Sequence, residues 1–344
     1  MKRIGAIVVL AALAGCANQA REGGQTSAPP QVAVAATPTV QRPTPTAKPA
    51  EPMGDIRAVE PSRDGTLVAV GTLNHGPKIT GFVLLLDAKT KGALKWPVAG
   101  GVTDFAFSHD GKMLAVAGAD KISLWQLPSG RLLHKAAVET GGGQFSIICD
   151  FSPDGKTLAV SNGGILMYDV ARWKLKQHRL RLGPHGFVSS VKFSPDGKLL
   201  ATTHYDTDEG INVWNLRTGK SQLSVHGDGG GPLLFSPDGR LLAGRIAASS
   251  SDGTKVWNVR TGKVVQTFDA RKTTYESSVP QAFSPDNRIL AGQDVKTGHI
   301  ELWDVRTGKL LRTLLQSESV AFWADRQTLV VYDQNGVQRL HVNL

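Results

Sequence analysis

Two cysteines, nine histidines and two Gly-Lys-Ser/Thr strings are the groups of this 344-residue chain with types suited to chemistry. Cys149 stands at the start of an apolar stretch and reads as a small buried hydrophobe rather than a nucleophile. Gly219-Lys220-Ser221 and Gly155-Lys156-Thr157 imitate the end of a phosphate-binding loop. The glycine such a loop needs five residues earlier is, however, Trp214 or Asp150. The histidines are scattered without ligand spacing, and no G-x-S-x-G, H-E-x-x-H or C-x-x-C string occurs. Residues 204–209 (His-Tyr-Asp-Thr-Asp-Glu) have oxygen ligands enough for Ca2+, but the spacing matches no calcium loop and reads as a solvated loop. Two cysteines also rule out a disulfide scaffold or a cysteine-rich zinc site. The expectation is a protein without catalytic residues, metal or cofactor.

The elements that would position any site come from a repeat. FSPDGK at 151–156 recurs as FSPDGK at 193–198, FSPDGR at 235–240 and FSPDNR at 283–288. Weaker copies are FSHDGK at 107–112, PSRDGT at 61–66 and FWADRQ at 322–327. Successive copies lie 39 to 48 residues apart, a period belonging to stacked or circular repeat architectures.

Each copy has one grammar. A short apolar strand leads into Pro-Asp-Gly, where Pro presets φ, Asp bonds the backbone and Gly accepts positive φ. Asn287 in place of Gly fits, because Asn tolerates the left-handed region. A second strand follows, such as Thr157-Leu158-Ala159-Val160, then a variable loop. A third strand carries an aromatic near its end: Ser123-Leu124-Trp125, Asn212-Val213-Trp214, Lys255-Val256-Trp257, Glu301-Leu302-Trp303. A Gly turn, as in Arg217-Thr218-Gly219-Lys220, Arg260-Thr261-Gly262-Lys263 and Arg306-Thr307-Gly308-Lys309, opens a fourth strand. With 38 glycines, 18 prolines and 41% hydrophobic residues, the composition suits many short strands and tight turns. The expected fold is all-β: a seven-bladed propeller of four-stranded antiparallel blades over residues 53–344.

The chain resembles WD-repeat proteins over that span. Leu302-Trp303-Asp304 carries the family dipeptide intact, while Trp125-Gln126, Trp214-Asn215 and Trp257-Asn258 replace its acid. The Gly-His signature is mostly missing, so the buried His/Ser/Trp/Asp network of the family is expected to be mostly absent. The chain ends near the third strand of the seventh copy. Its fourth strand is expected from residues before Ile56, either the stretch with Pro43, Pro45 and Pro49 or residues 31–35.

The first sixteen residues read separately. Lys2 and Arg3 precede an uncharged run over 4–15, shorter than the roughly 20 apolar residues that span a bilayer. Leu13-Ala14-Gly15-Cys16 resembles the lipobox of bacterial lipoproteins, which implies a signal peptide over 1–15 and acylation of Cys16. Residues 16–52, rich in Pro, Ala and Thr, read as a disordered tether. The expected address is the bacterial cell envelope, outer membrane favoured, with the propeller in the periplasm or at the cell surface.

Function is then expected in the loops. Candidate partner-binding residues on the variable loops are His75, Phe145, His185, Phe187, His204, Tyr205, Arg245 and Tyr275. On the opposite face, the turns between third and fourth strands carry the positive excess of the propeller. Arg217, Lys220, Arg260, Lys263, Arg306 and Lys309 form a basic rim suited to anionic polymer, lipid headgroups or an acidic protein, or simply to solubility. Nucleic acid is disfavoured, for no basic-aromatic motif accompanies the charge. The favoured function is a platform binding a partner protein or envelope polymer. The alternative is a hydrolase, lactonase or dehydrogenase with a site in the axial channel.

Overall fold

The computed structural model describes residues 55–62, 64–73, 80–87, 92–99, 101–138, 146–161, 164–176, 187–205, 210–247, 253–268, 278–294, 297–314, 320–323, 325–333 and 336–342. These form seven antiparallel sheets, each a blade in which sequence order runs from the axis outward. Blades 1 to 7 occupy 55–99, 104–137, 149–175, 187–225, 228–268, 278–314 and 320–341. The segments read from the sequence as a lipobox ending at Cys16 and as a tether lie outside the described residues.

Blades form because every second strand is apolar on both sides. In Met113–Ala117, Leu114 and Val116 pack toward blade 1 while Ala115 and Ala117 pack toward blade 3. In Thr328–Asp333, Leu329 and Val331 face blade 6 while Val330 faces blade 1. A strand buried on both faces reads as a continuous apolar run, as these do. Seven apolar clusters fill the seven interfaces between successive blades. The last joins Val59, Val68, Val70 and Leu84 of blade 1 to Phe322 and Val330 of blade 7, so side-chain packing closes the ring.

The turn between first and second strands is held the same way in six blades. In blade 4 the Ser194 hydroxyl accepts the Leu199 N–H at 2.9 Å and donates to Asp196 Oδ1 at 2.6 Å. Asp196 in turn accepts the Lys198 N–H at 3.1 Å. Equivalent bonds join Ser62 to Asp64, Ser108 to Asp110, Ser152 to Asp154, Ser236 to Asp238 and Ser284 to Asp286. The left-handed turn position is glycine except at Asn287, whose φ is 63°. Ser194 is 1% exposed. Ser194→Ala therefore strips a buried N–H of its acceptor and is expected to cost about 1–3 kcal/mol in chemical denaturation. A loss below about 0.5 kcal/mol would show that the hydroxyl is dispensable.

Two blades depart from the four-strand expectation. Blade 5 has its first strand broken into Asp228–Gly229 and Leu234–Phe235, both paired with Leu241–Ala247. Pro232, which has no N–H, and a glycine run separate the pieces. Blade 4 supports the gap: Ser190 Oγ accepts the Leu233 N–H and Thr203 Oγ1 donates to the Gly231 carbonyl. Blade 7 shows three strands among the described residues, ending at Gly336–His341. The segments expected to complete it lie outside those residues.

Candidate functional site

The inner strands line an axial channel, and its mouth on the Pro-Asp-Gly face opens a cavity of about 380 Å3. Position governs what enters it. The residue two before each turn serine is Glu60, Ala106, Asp150, Lys192, Leu234 or Ala282. Three charges are therefore placed on strands whose buried side chains are mostly apolar.

Lys192 of blade 4 lies between a carboxylate of the neighbouring blade 3 and one of blade 1 across the channel. Its Nζ lies 3.8 Å from Asp150 Oδ1 on blade 3 and 3.9 Å from Glu60 Oε1 on blade 1. Asp150 Oδ2 also accepts the Phe193 N–H at 2.7 Å. Asp104 of blade 2 accepts the Cys149 N–H of blade 3 at 2.8 Å. Each aspartate thus ties its inner strand to that of the next blade.

Burial pushes the Asp104 carboxyl up to about 7, against the opposing pull of Lys192. It raises Glu60 and Asp150 too, again with Lys192 opposing. For Lys192 itself burial would lower the ammonium, but Glu60, Asp150 and Asp104 hold it well above the ordinary lysine value. Cys149 is fully buried, and burial followed by the charges of Asp104 and Asp150 drives its thiol far above its usual range. It is no thiolate at neutral pH and therefore no nucleophile. Among the described residues no group of three or more His, Cys, Asp or Glu is placed to hold a metal ion. The channel carboxylates are occupied with a lysine and with backbone N–H groups, an arrangement that builds structure rather than performing turnover.

Of the expected loop residues, His75, Phe145, His185 and Tyr275 lie outside the described residues, as do Cys16 and residues 206–209. Phe187 opens the inner strand of blade 4 and stands opposite Tyr205, the last residue of the second strand. His204 is corrected from a surface contact to a core group. It is fully buried, its Nε2 lies 3.0 Å from Thr202 Oγ1, and the Trp214 indole N–H donates to the same hydroxyl at 3.1 Å. The period-2 alternation of Leu199–Tyr205 sends His204 to the side of Thr202, into the blade interface. A Trp–Thr–His network thus survives in blade 4. Arg245 sits within the strand Leu241–Ala247, opposite Thr254, rather than on a loop.

The six basic-rim residues Arg217, Lys220, Arg260, Lys263, Arg306 and Lys309 are all exposed, on the outer turns of blades 4, 5 and 6. Sequence reasoning missed Glu60, Asp104, Asp150 and Lys192. A charge two or four residues before the turn serine, inside an apolar strand, was the available signal.

Comparison with known proteins finds similarity to WD-type repeats over part of the chain. The family model described as WD domain, G-beta repeat, matches residues 93–126 and 176–215. Pre-mRNA-processing factor 19 of rice is 31% identical over 150 residues, 42% of this chain and 27% of that protein. WD repeat-containing protein 1 of chicken is 30% identical over 171 residues, 46% of this chain and 25% of that protein. Human apoptotic protease-activating factor 1 is 30% identical over 156 residues, 43% of this chain and 12% of that protein. The chain thus spans about a quarter or less of the curated relatives it matches. The β-propeller domain of Cps50 (Swd1) from Myceliophteria thermophila superposes with a TM-score of 0.66 at 16% identity, over 84% of this chain and 98% of that one. That likeness concerns the fold.

These relatives are eukaryotic, and none is a bacterial lipoprotein. The expectation of a bacterial lipoprotein, acylated on Cys16 at the outer membrane with its propeller in the periplasm or at the cell surface, is corrected on that finding. It rested on a local pattern of sixteen residues, whereas the matches extend over 150 residues or more. The matches agree with a propeller built from WD-type repeats.

Proposed function

We propose that this chain is a protein-interaction platform whose partner is held by loops of the propeller faces. The observation that carries this reading is the bridged axial channel. Lys192 spans it to Glu60 and also pairs with Asp150 of the adjacent blade, and these carboxylates, with Asp104, serve to join blades 1 to 4. That disposition removes support from the alternative of an axial-channel enzyme and leaves the two loop faces as working surfaces. Phe187 and Tyr205, paired at one end of blade 4, stand for the variable-loop face, while Lys220 and Lys263 stand for the turn face.

Photocrosslinking amino acids placed singly at Phe187, Tyr205, Lys220 and Lys263 in the source cells test this reading. A discrete protein adduct from at least one position is the expected result. Absence of any adduct from all four, with the protein folded and at native abundance, would overturn the platform reading.

A further inference from the structure

The outer turns of blades 4, 5 and 6 differ from those of blades 2 and 3 in what happens to their charge. In blade 3 Arg172 pairs with Asp169 at 3.1 Å, and in blade 2 the Arg131 guanidinium donates to Gln126 at 2.9 Å. The six cations of blades 4 to 6 form no ion pair among the described residues. For two of the three turns the cause is legible at the start of the turn. In blades 4 and 5 the side chain that caps the turn is Asn215 or Asn258, whose Oδ1 accepts the N–H groups of Arg217 and Thr218 or of Arg260 and Thr261. Asparagine supplies the capping oxygen without the negative charge. In blade 6 the cap is the acid Asp304, bonded to the Thr307 N–H and hydroxyl, and Arg306 lies within its electrostatic reach without an ion-pair contact.

These turns are also fixed relative to one another. Gln222 on the outer strand of blade 4 donates to the Val259 carbonyl of blade 5 at 3.2 Å. Gln266 on the outer strand of blade 5 donates to the Arg306 carbonyl of blade 6 at 3.5 Å. Gly262 packs against Leu223, and a Cβ on Gly308 would meet the Gln266 amide at 2.7 Å. The turns of blades 5 and 6 therefore each rest on the outer strand of the preceding blade, which fixes the cationic steps of blades 5 and 6 relative to blade 4. Beside them lie exposed apolar side chains: Val264 and Val265 are 50% and 46% exposed, and Leu311 38%. Exposed aliphatics next to unpaired cations mark a surface that binds more than a bare polyanion.

Resting on the platform reading, we propose that the rim of blades 4 to 6 is a docking surface for an acidic polypeptide segment with interspersed aliphatic residues. Its carboxylates meet the Arg/Lys pairs, and its aliphatic side chains cover Val264, Val265 and Leu311.

The probe is a fluorescein-labelled peptide of about 16 residues alternating Glu or Asp with Leu, read by anisotropy at low and physiological salt. Oligoglutamate and a single-stranded oligothymidylate of matched charge are the comparisons. Arg260→Gln/Lys263→Gln/Lys309→Gln is expected to weaken the peptide by about ten-fold or more and to flatten its salt dependence. Val264→Ser/Val265→Ser is expected to weaken it about three-fold or more while leaving oligoglutamate unchanged. Lys112→Gln/Lys198→Gln removes cations already close to Asp110 and Asp196 on the same face and is expected to have no effect. Equal affinity for the oligonucleotide, an undiminished triple variant, or no peptide binding at low salt would overturn the proposal. Crosslinked partners found at Phe187 or Tyr205 alongside such a failure would leave the platform reading standing.

Discussion

Lys192→Met is expected to destabilise the propeller by about 1–3 kcal/mol near pH 8, less than for a fully buried pair because the Lys192, Asp150 and Glu60 side chains are 26%, 19% and 35% exposed. Methionine keeps the length and much of the volume of the lysine stem, so the lost quantity is the ammonium. Glu60 and Asp150, which lie 3.9 and 3.8 Å from Nζ, would then share the channel with no cation between them. Their carboxyls are already raised by burial, and removing the lysine raises them further. Protonation relieves the repulsion, so the loss should shrink as the pH is lowered toward 5. Adding Glu60→Gln and Asp150→Asn to the methionine variant should recover most of the stability, since neutral groups of the same shape leave no unpaired charge. The check is the urea midpoint of the three proteins at both pH values. A deficit of equal size at both, unrelieved by the amides, would assign Lys192 a packing role only.

The sequence displayed this architecture more openly than it displayed the channel. Six copies of the Ser-x-Asp-Gly/Asn string and a weaker seventh located the turns, because in six blades the turn needs a buried serine, a bonding aspartate and a residue tolerant of positive φ. Asn287 was legible on that ground alone. The outer turns were legible wherever glycine marks them, and opaque in blade 3. There Trp173 takes the left-handed position with φ of 50° and stacks against His134 and Tyr168. Nothing local announces that exchange, since the stacking partner His134 comes from the neighbouring blade. The broken first strand of blade 5 was equally hidden, because its support by Ser190 and Thr203 is again supplied from the preceding blade. His204 was misjudged as a loop residue by one strand boundary. A shift of one or two residues decides whether a side chain faces solvent or a blade interface. The channel cluster needed the ring to close before Glu60 and Lys192, 132 positions apart, could meet.

Asp104→Asn is expected to flatten the pH dependence of stability between about pH 4 and pH 7. The Asp104 carboxyl titrates near 7 in the fold against a reference value of 3.8. The folded chain therefore binds this proton more tightly than the unfolded chain. Its contribution favours folding at acid pH and is lost as the pH rises through that window. Glu60 and Asp150, raised in the same direction, add to the slope. The turn aspartates oppose it only at lower pH. Asp110 and Asp154 are held below the ordinary value by the hydroxyls of Ser108 and Ser152, so their contribution is lost as the pH falls under about 4. Maximum stability should accordingly lie on the acid side of neutrality. Asparagine keeps an oxygen for the Cys149 N–H but has no proton to lose. The variant should gain on the parent as pH increases, by about 2–4 kcal/mol between pH 5 and pH 8. Urea midpoints across that range measure the difference directly. Parallel curves for the two proteins would mean that Asp104 is ionised throughout, and the channel would then hold its charges by solvation rather than by shared protons.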